Sequence, residues 1–227
     1  MSDPGASIGS SDLPYDDQVF INCPFDDDYR PMFHAVAFAI LACGFTPRSA
    51  LEITDGGTPR IALIVSLIRA CRLAVHDVSR IELGDGGLPR FNMPLELGLW
   101  LGACHFGDLS HRNRRCLILD TKRFRYQKFI SDIAGQDPAA HDNKPATAIR
   151  RVRDFLLTVW PDVRPAPPGG AHIAQRFAEF QAALPLLCDD IHIIEDELTF
   201  IDRARLARSW LSTVEPAARR VGSRLRS

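Results

Sequence analysis

The chain has 227 residues, 46% of them hydrophobic, and a formal net charge of −1, which is material for one substantial core and no global electrostatic case for nucleic acid or a membrane surface. No apolar run is long enough to span a bilayer, and the N-terminus lacks a basic region followed by an apolar one. The six cysteines (Cys23, Cys43, Cys71, Cys104, Cys116 and Cys188) are scattered, form no Cys-x-x-Cys pair and mostly sit inside apolar segments, the usage of reduced core thiols in a cytoplasmic protein rather than of zinc ligands.

Residues 1–16, rich in Ser, Gly, Asp and Pro, read as a flexible leader. Residues 19–22 form the first strand. A polar loop follows, and Pro31 opens a helix through Phe33, Val36, Ala37, Ile40 and Leu41 that closes at Gly44. Residues 46–51 read as a second strand, 60–71 as a strongly apolar helix, 73–77 as a third strand and 116–120 as a fourth. Short strands alternating with longer helices point to βαβ units and an open parallel sheet covered on both faces. Residues 123–134 and 145–160 look helical, the latter with Ile149, Val152, Phe155, Leu156 and Val159 at helical spacing. The Pro- and Gly-rich stretch 165–170 reads as a linker. It divides an α/β domain over residues 17–164 from a helical C-terminal extension over 171–227, whose residues 198–211 form an amphipathic helix with Arg on its polar face. Packing on the sheet or on a second subunit is the default for that helix. Arg219, Arg220, Arg224 and Arg226 end the chain without aromatic interleaving, so nucleic acid is not an expected partner.

The segment 91–102 carries most of the functional information. Asn92 is a plausible N-cap, Pro94 falls in the first turn, and apolar residues cover nearly every side, as in a buried central helix. Gly98 and Gly102 are one turn apart, so another backbone can approach that face. Glu96 stands in this apolar surround near the positive end of the helix dipole, where a fold can aim a carboxylate at a ligand. Acids in first turns also serve simply to complement the dipole. The order of elements weighs on the functional side. The third strand ends in Asp77-Val78-Ser79, a Gly-rich loop over residues 83–89 follows, and the Glu96 helix comes next. In open α/β sheets the ligand crevice lies beyond the carboxyl ends of the strands, which puts Asp77, Ser79 and Glu96 on one rim.

Asn22, Cys23, Pro24 and Phe25 reach the same rim from the first strand, where a base could stack or hydrogen-bond; turning the chain into the next helix is their equally good alternative use. Asp26, Asp27 and Asp28 repel phosphate, and neither a P-loop nor a Gly-x-Gly-x-x-Gly fingerprint occurs. Phosphate contacts would fall to arginines among Arg30, Arg48, Arg60, Arg80 and Arg90, with Arg80 and Arg90, which flank the Gly-rich loop, the better placed. His34 and His76 read as core histidines, no Gly-x-Ser-x-Gly elbow accompanies them, and nothing in the sequence activates Cys23 as a nucleophile. One carboxylate without a metal cluster or triad suits cleavage at a ribosyl anomeric carbon, whose oxocarbenium-like transition state a carboxylate can stabilise or attack. Asp77 is then the natural partner for a ribose hydroxyl or the base.

Phe20-Ile21-Asn22-Cys23-Pro24-Phe25, then Asp77-Val78-Ser79, then Asn92-Met93-Pro94-Leu95-Glu96-Leu97-Gly98 resemble, in that order, bacterial TIR-like proteins. The order is also similar to that of the nucleoside deoxyribosyltransferases. Both groups have a flavodoxin-like sheet. The resemblance spans about residues 19–120 and implies that Glu96 is catalytic and that Asp77 contacts substrate; Asn22, Cys23, Pro24, Phe25, Ser79, Arg80 and Asn92, placed by the reading of the rim, complete the expected substrate-binding set. Residues 88–91 lack the additional acid usual in the transferases, and no tyrosine stands at Phe20 or Asn22, which favours the TIR-like side. On that side the implied activity is hydrolysis of the nicotinamide–ribose bond of NAD, with NAD as substrate and no further cofactor, in a homo-oligomer and in settings such as anti-phage defence. Deoxyribosyl transfer and a non-catalytic nucleotide-sensing or scaffolding module remain the alternatives.

Overall fold

The computed structural model describes residues 13–53, 55–80, 90–108, 111–133, 136–160 and 165–214. Five parallel strands run β1 (Gln18–Asn22), β2 (Thr46–Ser49), β3 (Leu73–Asp77), β4 (Arg115–Asp120) and β5 (Ala139–Ala140), in the spatial order β2-β1-β3-β4-β5. This is an α/β fold with flavodoxin-like strand order; folds of this kind bind ligands where connections leave the sheet in opposite directions, which here is between β1 and β3. Among the described residues six α-helices flank the sheet: α1 (Arg30–Ala42), α2 (Arg60–Ala70), α3 (Asn92–Phe106), α4 (Pro145–Thr158), α5 (Gly170–Asp190) and α6 (Phe200–Val214).

The two faces follow from the period of two in each strand. Val19 and Ile21 of β1 and Leu73 and Val75 of β3 point into a core shared with α1, α4, α5 and α6. Phe20 and Ala74, between them in sequence, point the other way and meet Leu63, Ile64, Leu67 and Ile68 of α2 and Trp100 of α3. A third cluster, Val78, Met93, Leu97, Ile118 and Tyr126, fills the carboxyl edge beside α3. The α1 helix is nearly enclosed, because α4 and α5 cover it from outside and α6 lies across it. Phe38 of α1 stacks on Phe180 of α5 at 5.4 Å between ring centroids and tilts against Trp210 of α6 at 6.3 Å.

Several boundaries move from their sequence-based positions for local reasons. The leader is held from Leu13 onward: Tyr15 Oη accepts from Arg114 Nε at 2.9 Å, and Asp16 pairs with Arg72 at 2.9 Å. The second strand stops at Ser49, where Ser49 and Glu52 form a capping box; Glu52 Oε1 accepts the Ser49 N–H at 2.7 Å and starts a short 3₁₀ turn. The helix after β1 closes as expected at Gly44, whose φ of 78° lets the Phe45 N–H reach back to the Ile40 carbonyl at 3.1 Å. Residues 123–134 do not make a helix over their described part, only 3₁₀ turns at Arg125–Lys128 and Ser131–Ile133. Residues 165–169 form no regular element, and α5 follows directly, packed on α1 and α4. The basic C-terminal arginines and the Gly-rich loop at 83–89 lie outside the described residues.

The helix carrying Glu96 differs most from expectation. It begins at Asn92 itself, because the Phe91 carbonyl already accepts the Leu95 N–H at 2.9 Å; Phe91 is the N-cap, and Asn92 makes no capping bond. Nor is it buried on all sides. Met93, Glu96, Leu97 and Trp100 face the sheet, while Leu95, Gly98 and Phe106 lie on an open side, Phe106 at 92% exposure. Apart from the helix's own backbone and the adjacent residues, no described atom stands within 4 Å of where a Cβ would sit on Gly98 or Gly102. This open apolar side lines a shallow surface cavity of about 710 Å³ with Pro94, Leu99 and Ala103. No described helix is long and apolar enough to cross a membrane.

Candidate active site

Glu96 sits one turn into α3 and is only 8% exposed. Its burial pushes the carboxyl up from the usual carboxylate range to about 7, against a lowering pull from the Arg60 guanidinium at the start of α2. An acid raised to neutrality beside the β1/β3 switch point is poised for proton or charge work near physiological pH.

The carboxyl end of β1 delivers the expected residues to one edge. Asn22, Cys23 and Pro24 are buried, and Phe25 is half exposed. Phe25 stands edge-on to Phe33 at 5.6 Å, with Arg60 5.8 Å over its ring. Asn22 does not offer its amide nitrogen to a ligand: Nδ2 lies 2.9 Å from both the Met93 carbonyl and His76 Nδ1. Cys23 is held far above the normal thiol range by burial and then by the negative fields of Asp77, Glu96 and Asp26. It is a protonated thiol at neutral pH, which disqualifies it as a nucleophile.

Asp77 ends β3 with no exposed surface. Its Oδ1 accepts the Ser79 N–H at 2.8 Å, its Oδ2 accepts the Tyr29 hydroxyl, and His141 Nε2 lies 3.2 Å from Oδ2. His141 in turn accepts the Asn143 N–H on Nδ1 at 3.0 Å, and its Nε2, close to Asp77, makes no hydrogen bond among the described residues. Asp77 therefore ties three loops together, and a ligand reaches it only by displacing Tyr29 or His141. Ser79 is also buried; its carbonyl accepts from Arg125 Nη2, and Arg125 Nε is fixed 2.8 Å from Asp120 Oδ1 at the end of β4.

At the rim, Asp26 draws Arg80 and Arg90 to its two oxygens at 2.7 and 2.8 Å, and Asp28 lies 3.6 Å from Arg80. Arg80 and Arg90, the arginines picked out for phosphate, thus converge on one carboxylate that already answers them. Arg48 is buried elsewhere, against Glu52 and Gln18. Asn92, at the exposed start of α3, points no capping bond inward. His34 lies away from the edge, on the α1 face toward Phe200 and Arg203. Among the described residues no group of three or more His, Cys, Asp or Glu side chains is arranged to hold a metal ion.

Sequence reasoning missed Tyr29, His141, Asp120 and Arg125. Asp120 carried a signal, being the polar end of an apolar strand like Asp77. His141 carried none, because the two-residue β5 that presents it leaves no hydrophobic run. The chain matches no protein-family model. No curated protein matches it either.

Proposed function

We propose that this TIR-like chain is an N-glycosidase acting on NAD or a related nucleotide, with Glu96 as its catalytic carboxylate. The observation that carries this reading is Glu96 itself, almost enclosed, raised to about 7 and set at the carboxyl edge beside β1 and β3. Scission of the ribosyl C1′–N bond sends the bonding pair to the pyridinium ring, which leaves as neutral nicotinamide. Water adds its hydroxyl to C1′ and releases a proton. The ionised Glu96 stabilises the positive charge at C1′ or holds the sugar covalently until water arrives. A cationic ring brought beside Glu96 favours that ionised form. Arg80 and Arg90, each partly exposed, can exchange Asp26 for a phosphate oxygen. The six free cysteines suit a cytoplasmic setting, and the open apolar side of α3, with Leu95 and Phe106 outward, suits self-association.

Deoxyribosyl transfer is the second reading. It is favoured by the same raised carboxyl, which is half protonated near neutrality and can give a leaving base its proton. The test is prolonged incubation of concentrated protein with NAD in one tube and with deoxyadenosine plus cytosine in another, followed by chromatography, with Glu96→Gln as control. Nicotinamide release lost in Glu96→Gln supports the hydrolase. Exchanged nucleoside replaces it with the transferase. No product in either tube, with ligand-dependent stabilisation unchanged by the substitution, turns the assignment to a sensing module.

A further inference from the structure

We infer that Asn22 is a positioning residue for Glu96, bracketing it on α3 through the Met93 carbonyl on one side and through His76 and Trp100 on the other. The inference rests on reading Glu96 as the catalytic carboxylate. Met93, Glu96 and Trp100 lie three and four residues apart, so they share the face of α3 turned to the sheet. Any device that grips Met93 and Trp100 therefore sets where the carboxyl between them points.

The grip begins with an amide whose two hydrogens are both committed. A main-chain carbonyl can only accept, so the Asn22 amide nitrogen must face Met93, at 2.9 Å. The same nitrogen then donates its second hydrogen to His76 Nδ1, also at 2.9 Å, which makes Nδ1 the unprotonated ring nitrogen. The His76 proton sits on Nε2, which is buried without a hydrogen-bond partner. Its ring meets Trp100 edge-on at 5.7 Å and Phe20 at 6.0 Å. Burial holds His76 down at about 3, so it remains neutral in this role. Asn22 and His76 are paired neighbours on β1 and β3, so two strands present one rigid clamp to one helix. The groups that act on Glu96 or feel its charge are Arg60 from α2 and the neutral thiol of Cys23 from the end of β1; Asn22 adds no charge of its own.

The test follows the Glu96 carboxyl carbon by ¹³C NMR across pH in the full chain, the signal being assigned by its loss in Glu96→Gln. Asn22→Ala releases the first turn of α3, admits water to Glu96 and lowers its midpoint from about 7 by about one pH unit or more toward the ordinary range. Leu184→Ala, a cavity on the opposite side of the sheet, destabilises the fold and leaves the midpoint in place. If Asn22→Ala does not fold, Asn22→Ser, whose short hydroxyl cannot span to both partners, gives the same downward shift. In the NAD assay, Asn22→Ala lowers kcat about tenfold or more with a smaller change in KM. A midpoint within about 0.3 unit of wild type in the folded Asn22 variant overturns the inference and leaves an ordinary core hydrogen bond. A wild-type protein that releases no nicotinamide refutes the hydrolase reading alone, since the NMR midpoint still decides whether Asn22 positions Glu96.

Discussion

Replacing Glu96 by Gln should stabilise this protein, and by an amount that depends on pH in one direction only. In the unfolded chain the carboxyl titrates near 4.5; in the fold, burial raises it to about 7. Below 4.5 both states are protonated and the residue is neutral in the balance. Between these values the unfolded chain ionises first, so wild-type stability falls as pH rises, and above 7 the full difference has been lost. A displacement of this size corresponds to about 3 kcal/mol at about 1.4 kcal/mol per pH unit. For a chain of this length that is a shift in Tm of roughly 6–12 °C. Thermal melts of wild type and Glu96→Gln from pH 4.5 to 8.5 read it directly. The Tm difference should be small at the acid end, widen through neutrality and level off near pH 8. A constant gap would mean that Glu96 is not desolvated. A gap widening toward acid would mean that its carboxyl is held down by a partner, and either result would refute the reasoning.

Three further outcomes follow from the same geometry. If Glu96 acts ionised on NAD, kcat/KM rises with pH through a midpoint near 7, and Arg60→Ala moves that midpoint upward by removing the cation that lowers it; a flat profile, or a downward move, contradicts this. Asp77→Asn leaves Tyr29, Ser79 and His141 facing an imperfect partner in a fully buried setting and should destabilise by about 2–4 kcal/mol in urea unfolding, whereas a change under about 0.5 kcal/mol would show the hub to be dispensable. Phe106→Asp, at an almost fully exposed position, should lower self-association in sedimentation without lowering Tm; an unchanged sedimentation profile removes the open side of α3 as a contact surface.

What the sequence made legible was what depends on neighbours along the chain. Leu73–Asp77 is the third strand to the residue, because an apolar run closed by polar residues has little else it can be. The placement of Glu96 near the start of a helix followed from Pro94 and the residues around it. The sides of that helix were another matter. Leu95 and Phe106 are as apolar as Met93 and Leu97, and only the position of the sheet decides which set is covered. The hydrogen bonds of the Asn22 amide were illegible for a related reason: its partners, His76 and the Met93 carbonyl, stand 54 and 71 residues away. His141 was invisible because a two-residue strand and a turn with left-handed Asp142 and Asn143 have no periodicity to read.

The enclosure of α1 by α5 and α6 has a consequence for how the chain is made. Phe38 is synthesised well before Phe180 and Trp210, which cover it, and Arg208 reaches back 162 residues to Thr46. Until α5 and α6 have been made, one side of the sheet layer has its apolar surface without its full cover, and closing it demands contacts of very long sequence separation, which form slowly. Ribosome-stalled chains ending before α5 should therefore be readily cut by protease in α1, and chains extended past α6 should resist. The part of the chain that carries Glu96 can therefore bury this side of its core only once the C-terminal helices are in place.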